Sequence, residues 1–167
     1  MISEKMLQEL NVQIKHEFFS ANYYLAMAAY CKDQNLQGFA NFFFVQAEEE
    51  RFHAMKFFNF VDELGGRVVI TGYDEPNNDF DSVIHVFEAA YEHEKFVTKR
   101  IHHLMDVAVE EKNYPVISFL NWFVDEQVEE EASMEEILEK LRMIDGHPNG
   151  LFMMDKELGQ RVFTPGE

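Results

Sequence analysis

Residues 46–54 read Gln46-Ala47-Glu48-Glu49-Glu50-Arg51-Phe52-His53-Ala54, a polar run inside what is otherwise an amphipathic helix. At helical spacing the inward positions around it are Phe39, Gln46, His53 and Phe60 on one line, and Phe43, Glu50, Phe57 and Leu64 on the other. The stripe is apolar at its ends and polar in its middle. A helix that buries a glutamate and a histidine at mid-height needs neighbours that are interrupted at the same level.

Three further stripes have that form. The first helix gives Leu7, Ile14, Ala21 and Ala28 with Leu10, Glu17, Tyr24 and Cys31. The third gives Val83, Ala90, Val97 and Leu104 with Phe87, Glu94, Ile101 and Ala108. The fourth gives Ile117, Val124, Glu131 and Leu138 with Leu120, Gln127, Met134 and Leu141. Adding 77, which is eleven heptads, carries Glu17 to Glu94, Glu50 to Gln127, His53 to Glu130 and Leu64 to Leu141. The shift preserves both core and interruptions, as a duplicated helical hairpin would.

The breaks between helices set the topology. Ser3 opens the first helix, which runs to about Asp33, and a second runs from the Gln34–Gly38 break to Leu64. Gly65-Gly66 stops it, and residues 67–81, with Gly72, Pro76 and two asparagines, read as one long connection. Ser82 opens a third helix to about Glu111, and Tyr114-Pro115 a fourth that ends before Gly146-His147-Pro148-Asn149-Gly150. The expectation is an all-α four-helix bundle with a long crossover between helices two and three, plus a short fifth helix. One domain, 1–167, would comprise a hairpin at about 3–64, the crossover at 65–82, a hairpin at about 83–145 and the fifth helix at about 151–159.

Composition narrows the partners. The chain has 167 residues, with 31 Asp and Glu against 14 Lys and Arg, a formal charge of −17. Such a balance repels phosphate backbones and anionic membranes, so no nucleic-acid or membrane partner is expected and cations are. A lone cysteine, Cys31, excludes an intrachain disulfide framework and reads as a small buried hydrophobe. The charged opening MISEKMLQELNVQIKHE is no signal peptide, which makes the cytoplasm the expected location. His16, His85, His93, His102, His103 and His147 fall mostly off the stripes and are expected at surfaces or interfaces.

Depth follows from counting. With the first turn near residue 35, Glu17 lies 18 residues before it and His53 18 after; with the second near 113, Glu94 lies 19 before and Glu130 17 after. The interior should therefore gather Glu17, Glu50, His53, Glu94, Gln127 and Glu130. An unpaired buried carboxylate costs on the order of several kcal/mol, and no Lys or Arg lies on any stripe to compensate. Metal ions are the remaining counter-charge. Oxygen ligands with a single imidazole favour iron or manganese over zinc, and one glutamate able to bridge points to a pair of ions. Glu50 and His53 match the Glu-x-x-His element of di-metal carboxylate bundles.

These residues, with His93-Glu94 and the run from Phe119 to Gln127, resemble the prokaryotic non-haem ferritins, and the similarity covers essentially the whole chain. The resemblance implies iron storage in a homo-24-mer shell, each subunit being a ferroxidase that oxidises Fe(II) with O2 or H2O2 and deposits ferric mineral inside. It implies one iron held by Glu17, Glu50 and His53 and a second by Glu50, Glu94 and Glu130, with Gln127 beside them and Tyr24 near the site. It also implies a third site drawing on Glu49, Glu126, Glu129 and Glu130. Arg51 occupies the place of the bacterioferritin haem methionine, so no haem is expected.

Two other readings compete. A small soluble di-iron peroxidase or oxidase of the rubrerythrin type would use the same ligands, but a cysteine-rich domain is missing. A metal-free helical scaffold that binds protein partners would keep the bundle and none of the chemistry. Aromatic residues on more than one face of Phe39–Phe44 favour coverage by another helix or subunit.

Overall fold

The computed structural model describes residues 2–165. Among them are five helices and no strand: α1 (Glu4–Asp33), α2 (Gln37–Glu63), α3 (Val83–Glu110), α4 (Tyr114–Ile144) and α5 (Pro148–Leu158). The chain is all-α, with its longest connection between α2 and α3.

Helix ends follow local chemistry. Ser3 and Ser82 are extended N-caps whose hydroxyls accept from Met6 N (3.0 Å) and His85 N (3.2 Å), and Asn113 caps α4 ahead of Pro115. Asp145 (φ 47°) and Gly146 (φ 74°) take left-handed backbone and stop α4. The fifth helix starts at Pro148, three residues before the expected 151. In the sequence Pro148 belongs to the break that ends the fourth helix. Its missing N–H and fixed φ instead suit the first turn of the next.

Contacts at the ends fix the directions. Ser3, before α1, donates to both carboxylate oxygens of Glu111, after α3, at 2.7 and 2.8 Å, so α1 and α3 are antiparallel. The crossover begins beside the start of α1, where Val69 N donates to Asn11 Oδ1 at 2.8 Å. It ends beside the last third of α1, where Phe80 meets Tyr30 edge-on at 5.5 Å. The connection thus spans the bundle, and α2 and α3 run parallel.

The short α5 folds back onto the start of α2. That start has no side-chain cap of its own; Asp155 Oδ1 instead accepts from Gly38 N (2.9 Å) and Phe39 N (3.0 Å). A Cβ on Gly38 would fall 1.5 Å from the Asp155 carbonyl oxygen, so only glycine permits this approach.

The core is split in two. One apolar cluster, including Met27, Cys31, Phe39, Phe43, Phe87, Leu138 and Met154, fills one end; another, including Met6, Leu10, Phe57, Val61, Ile101, Leu120 and Phe123, fills the other. Each fully buried Phe, Leu or Met contributes about 1.5–3 kcal/mol. Polar residues form the layer between. On α3 the expected stripe is buried apart from its half-buried first member, Val83, but on α4 one line is displaced by a residue: Val116, Phe123 and Glu130 face inward where Ile117, Val124 and Glu131 were expected. A 3.6-residue helix drifts against a strict 7-residue repeat. On α1, Met6, Gln13, Ser20 and Met27 are buried for the same reason.

Candidate metal centre

All four long helices enter the polar layer: Glu17 from α1, Glu50 and His53 from α2, Glu94 from α3, Gln127 and Glu130 from α4. None is more than 6% exposed. Apart from Gln127, their donor atoms fall into two groups, Glu17–Glu50–His53 and Glu50–Glu94–Glu130, and within each group the atoms lie within 4.8 Å of one another. Glu50 belongs to both. His53 Nδ1 stands 3.4 Å from Glu50 Oε2 and 3.8 Å from Glu17 Oε2. Oε2 of Glu17 and Oε2 of Glu50 are buried with no hydrogen-bond partner among the described residues. Two orphaned carboxylate oxygens beside an imidazole are what a cation would satisfy.

Electrostatics point the same way. Burial first, and then the neighbouring carboxylate charges, hold Glu17, Glu50 and Glu130 well above the ordinary carboxylate range. Burial raises Glu94 to about 7, offset in part by hydrogen bonds from Tyr24 and Gln127. Without a cation, these acids hold protons at pH values where exposed glutamates do not. A divalent ion in either group would supply the missing charge and displace those protons.

Surrounding side chains orient these carboxylates. Tyr24, completely buried, donates its hydroxyl to Glu94 Oε1. Gln127 Nε2 donates to Glu94 Oε2 at 3.1 Å and to Thr98 Oγ1 at 3.1 Å. Gln13 Nε2 donates to Glu17 Oε1 at 3.0 Å, and Gln46 Nε2 to Glu130 Oε2. The residues of the implied third site are less convergent. Glu126 Oε1 is 3.9 Å from His53 Nε2, Glu49 Oε2 is engaged by Arg161 Nη2 at 3.0 Å, and Glu129 is exposed.

Several of these surrounding side chains escaped the sequence reading. Gln13 lies one turn before Glu17, a spacing that could have drawn notice; Arg161 follows the fifth helix and carries no periodic signal. His93, expected at a surface or interface, is buried, with a ring nitrogen 2.7 Å from Ser20 Oγ and its ring packed among Phe19, Tyr23, Tyr24 and Phe96. Burial lowers its pKa to about 4. Its neighbour Ser20 sits on the displaced line of α1, and His93 itself lies beside rather than on the α3 stripe.

Known proteins resemble this chain along its whole length. The family model of the ferritin-like domain matches residues 7–144. A bacterial non-heme ferritin from Staphylococcus aureus is 44% identical over 163 residues, covering 98% of both chains, and one from Staphylococcus saprophyticus is 42% identical over the full length of both. Among solved structures, an engineered closed form of the Archaeoglobus fulgidus ferritin is 51% identical with a TM-score of 0.97, covering 98% of this chain and all of that one. The open-pore ferritin of the same archaeon is 50% identical with a TM-score of 0.96, covering 97% of this chain and all of that one.

Proposed function

Since this chain belongs to the ferritin family, we propose that it oxidises Fe(II) at an intra-subunit di-iron site and stores the ferric product as mineral inside a 24-subunit shell. The observation that carries this reading is the pair of three-ligand groups sharing Glu50. Glu17, Glu50 and His53 would hold one substrate ion, and Glu50, Glu94 and Glu130 the other. Oxygen-rich donor sets stabilise the ferric state, and a shared carboxylate fixes the spacing of the two ions. Gln127 and Tyr24, both donating to Glu94, set the orientation of the second group. Either O2 or H2O2 would serve as the electron acceptor. A third ion would draw on Glu49, Glu126, Glu129 and Glu130.

Assembly is supported by apolar residues that a lone bundle leaves in water. Val69 and Ile70 of the crossover are 50% and 62% exposed, and Phe152 and Met153 of α5 are 66% and 75%. Excess acidic charge would draw Fe(II) toward the shell interior. The proposed location is the cytoplasm; among the described residues no helix is long and apolar enough to cross a membrane.

The test is to add Fe(II) in air to metal-free protein and size the product. Storage requires many more irons per chain than the two ligand groups hold, kept soluble in a particle of about 24 chains. Rapid oxidation by a one- or two-chain species whose iron then precipitates would favour the rubrerythrin-type reading instead.

A further inference from the structure

We propose that Arg100 and Arg161 are positioning residues, each acting through one buried glutamine to fix the carboxylate that belongs to only one of the two ligand groups. The inference rests on reading those groups as metal sites. Glu17 is the ligand private to the first group besides His53, and Glu130 is private to the second besides Glu94.

The two arrangements have the same construction. Gln13 and Gln46 are 0% and 1% exposed. On one side Arg100 Nε donates to Gln13 Oε1 at 3.3 Å, and Gln13 Nε2 donates to Glu17 Oε1 at 3.0 Å. On the other, Arg161 Nη1 donates to Gln46 Oε1 at 2.9 Å, and Gln46 Nε2 donates to Glu130 Oε2. Each arginine is anchored beyond its glutamine. Arg100 Nη2 pairs with Glu9 at 3.1 Å, and Arg161 Nη2 pairs with Glu49 at 3.0 Å while its guanidinium lies 4.4 Å from the Phe42 ring centre.

The chemistry explains why an arginine is needed. A glutamine amide has a donor end and an acceptor end of nearly equal size, so alone it could present either to a carboxylate. An arginine donates only, and its approach to Oε1 forces Nε2 toward the ligand. The reversed amide would set donor against donor on one side and oxygen against carboxylate on the other. With Oε1 of Glu17 occupied in this way, Oε2 is the oxygen left free beside His53 and Glu50. A planar guanidinium can hold the amide and its anchoring carboxylate at once, which a lysine ammonium does less well.

The two arginines come from different parts of the chain. Arg100 is on α3, whereas Arg161 follows α5. Each ligand group therefore has its own lock, and one of them depends on the docked C-terminal segment.

The test titrates metal-free wild type, Arg100→Ala and Arg161→Ala with Co(II), following heat and visible absorbance. Wild type should fill the two groups in separate steps. Arg161→Ala should weaken one step about tenfold and Arg100→Ala the other, each leaving its counterpart within about twofold. In a Gln46→Leu background, Arg161→Ala should cost nothing further in affinity. If Arg161→Ala does not fold, Arg161→Lys, which keeps charge and packing, should show a smaller loss at the same step. Unchanged isotherms, equal weakening of both steps by both variants, or a full Arg161→Ala effect in Gln46→Leu would each overturn the proposal. Failure of wild type to take up Co(II) would remove the metal reading along with it, whereas the other outcomes leave that reading intact.

Discussion

His53 Nδ1 lies 3.4 Å from Oε2 of Glu50, one turn back on the same face of α2, and no hydrogen-bond donor among the described residues reaches that oxygen. The same carboxylate also belongs to a second group with Glu94 and Glu130. Glu50 is therefore where the two groups meet, and its buried charge is costly unless a proton neutralises it or a cation joins the groups. An acid in that position works against the stability of the metal-free bundle and in favour of the metal-loaded one.

Replacing it separates those effects. Glu50→Gln should raise the thermal midpoint of metal-free protein at pH 8, corresponding to about 1–4 kcal/mol, because a neutral amide of equal size replaces a buried acid among acids. The same change should abolish uptake at both groups, while Glu17→Gln should spare the second. Thermal unfolding with parallel Co(II) titration decides it. A stability gain with unaltered uptake would favour the metal-free scaffold.

Protons should leave as metal enters. Glu94 holds its proton to about pH 7, and Glu17, Glu50 and Glu130 are also raised, chiefly by burial. Folded protein thus binds more protons than unfolded chain between the ordinary carboxylate value of about 4.5 and pH 7. The contribution of Glu94 to metal-free stability is full below that window and lost as pH rises through it, and those of Glu17, Glu50 and Glu130 fall in the same direction. Metal binding should release more protons per ion at pH 6 than at pH 8. Calorimetry with Zn(II) in two buffers of different ionisation heat measures the release. Equal release at both pH values would contradict the assignment of raised acids.

Much of this site was legible in the chain because helical geometry converts spacing into position. Glu50 and His53, three apart, must share a face, and nearly equal counts from the turns put Glu17 and Glu94 at their level. The heptad approximation misread the fourth helix by one residue on one line. Glu130 survived because the 77-residue shift and the resemblance both pointed to it, but Glu131 was assigned inward and is only half-buried. What could not be read was contact made from outside the periodic segments. Arg161 on Gln46, and Asp155 capping the start of α2, depend on how a short terminal helix docks. No local pattern encodes that. His93 lies off the α3 stripe, and its burial comes from the aromatic side chains of Phe19 and Tyr23 on α1, which no periodicity of α3 encodes.

Tyr24 offers a test of ligand orientation without loss of a ligand. Its hydroxyl donates to Glu94, and it is stacked on Phe43 at 6.0 Å. Tyr24→Phe keeps the ring packing and removes one hydrogen bond, which should cost about 0.5–1.5 kcal/mol. Loss of that donor should also raise the Glu94 pKa further. Two ions should still bind, more weakly at the second group, and Fe(II) oxidation in stopped flow should slow. Unchanged affinity and rate would reduce Tyr24 to packing.

Gly38 makes the sharpest prediction, because two effects of opposite sign act there. In an exposed helix, Gly→Ala would stabilise by about 1 kcal/mol through propensity alone. Here the new methyl would sit 1.5 Å from the Asp155 carbonyl, a clash with backbone that no rotamer relieves. The α5 helix must move away, which also withdraws Asp155 Oδ1 from Gly38 N and Phe39 N. Gly38→Ala should therefore destabilise by about 1–3 kcal/mol. Hydrogen exchange should quicken across Pro148–Leu158 and at the start of α2, with the far apolar cluster around Leu10 and Leu120 unaffected. Because Arg161 follows α5, the variant should also lose affinity at the group containing Glu130 while the group containing His53 keeps it. A stabilised protein with α5 still protected would mean the close approach at Gly38 is not what holds the C-terminal segment in place.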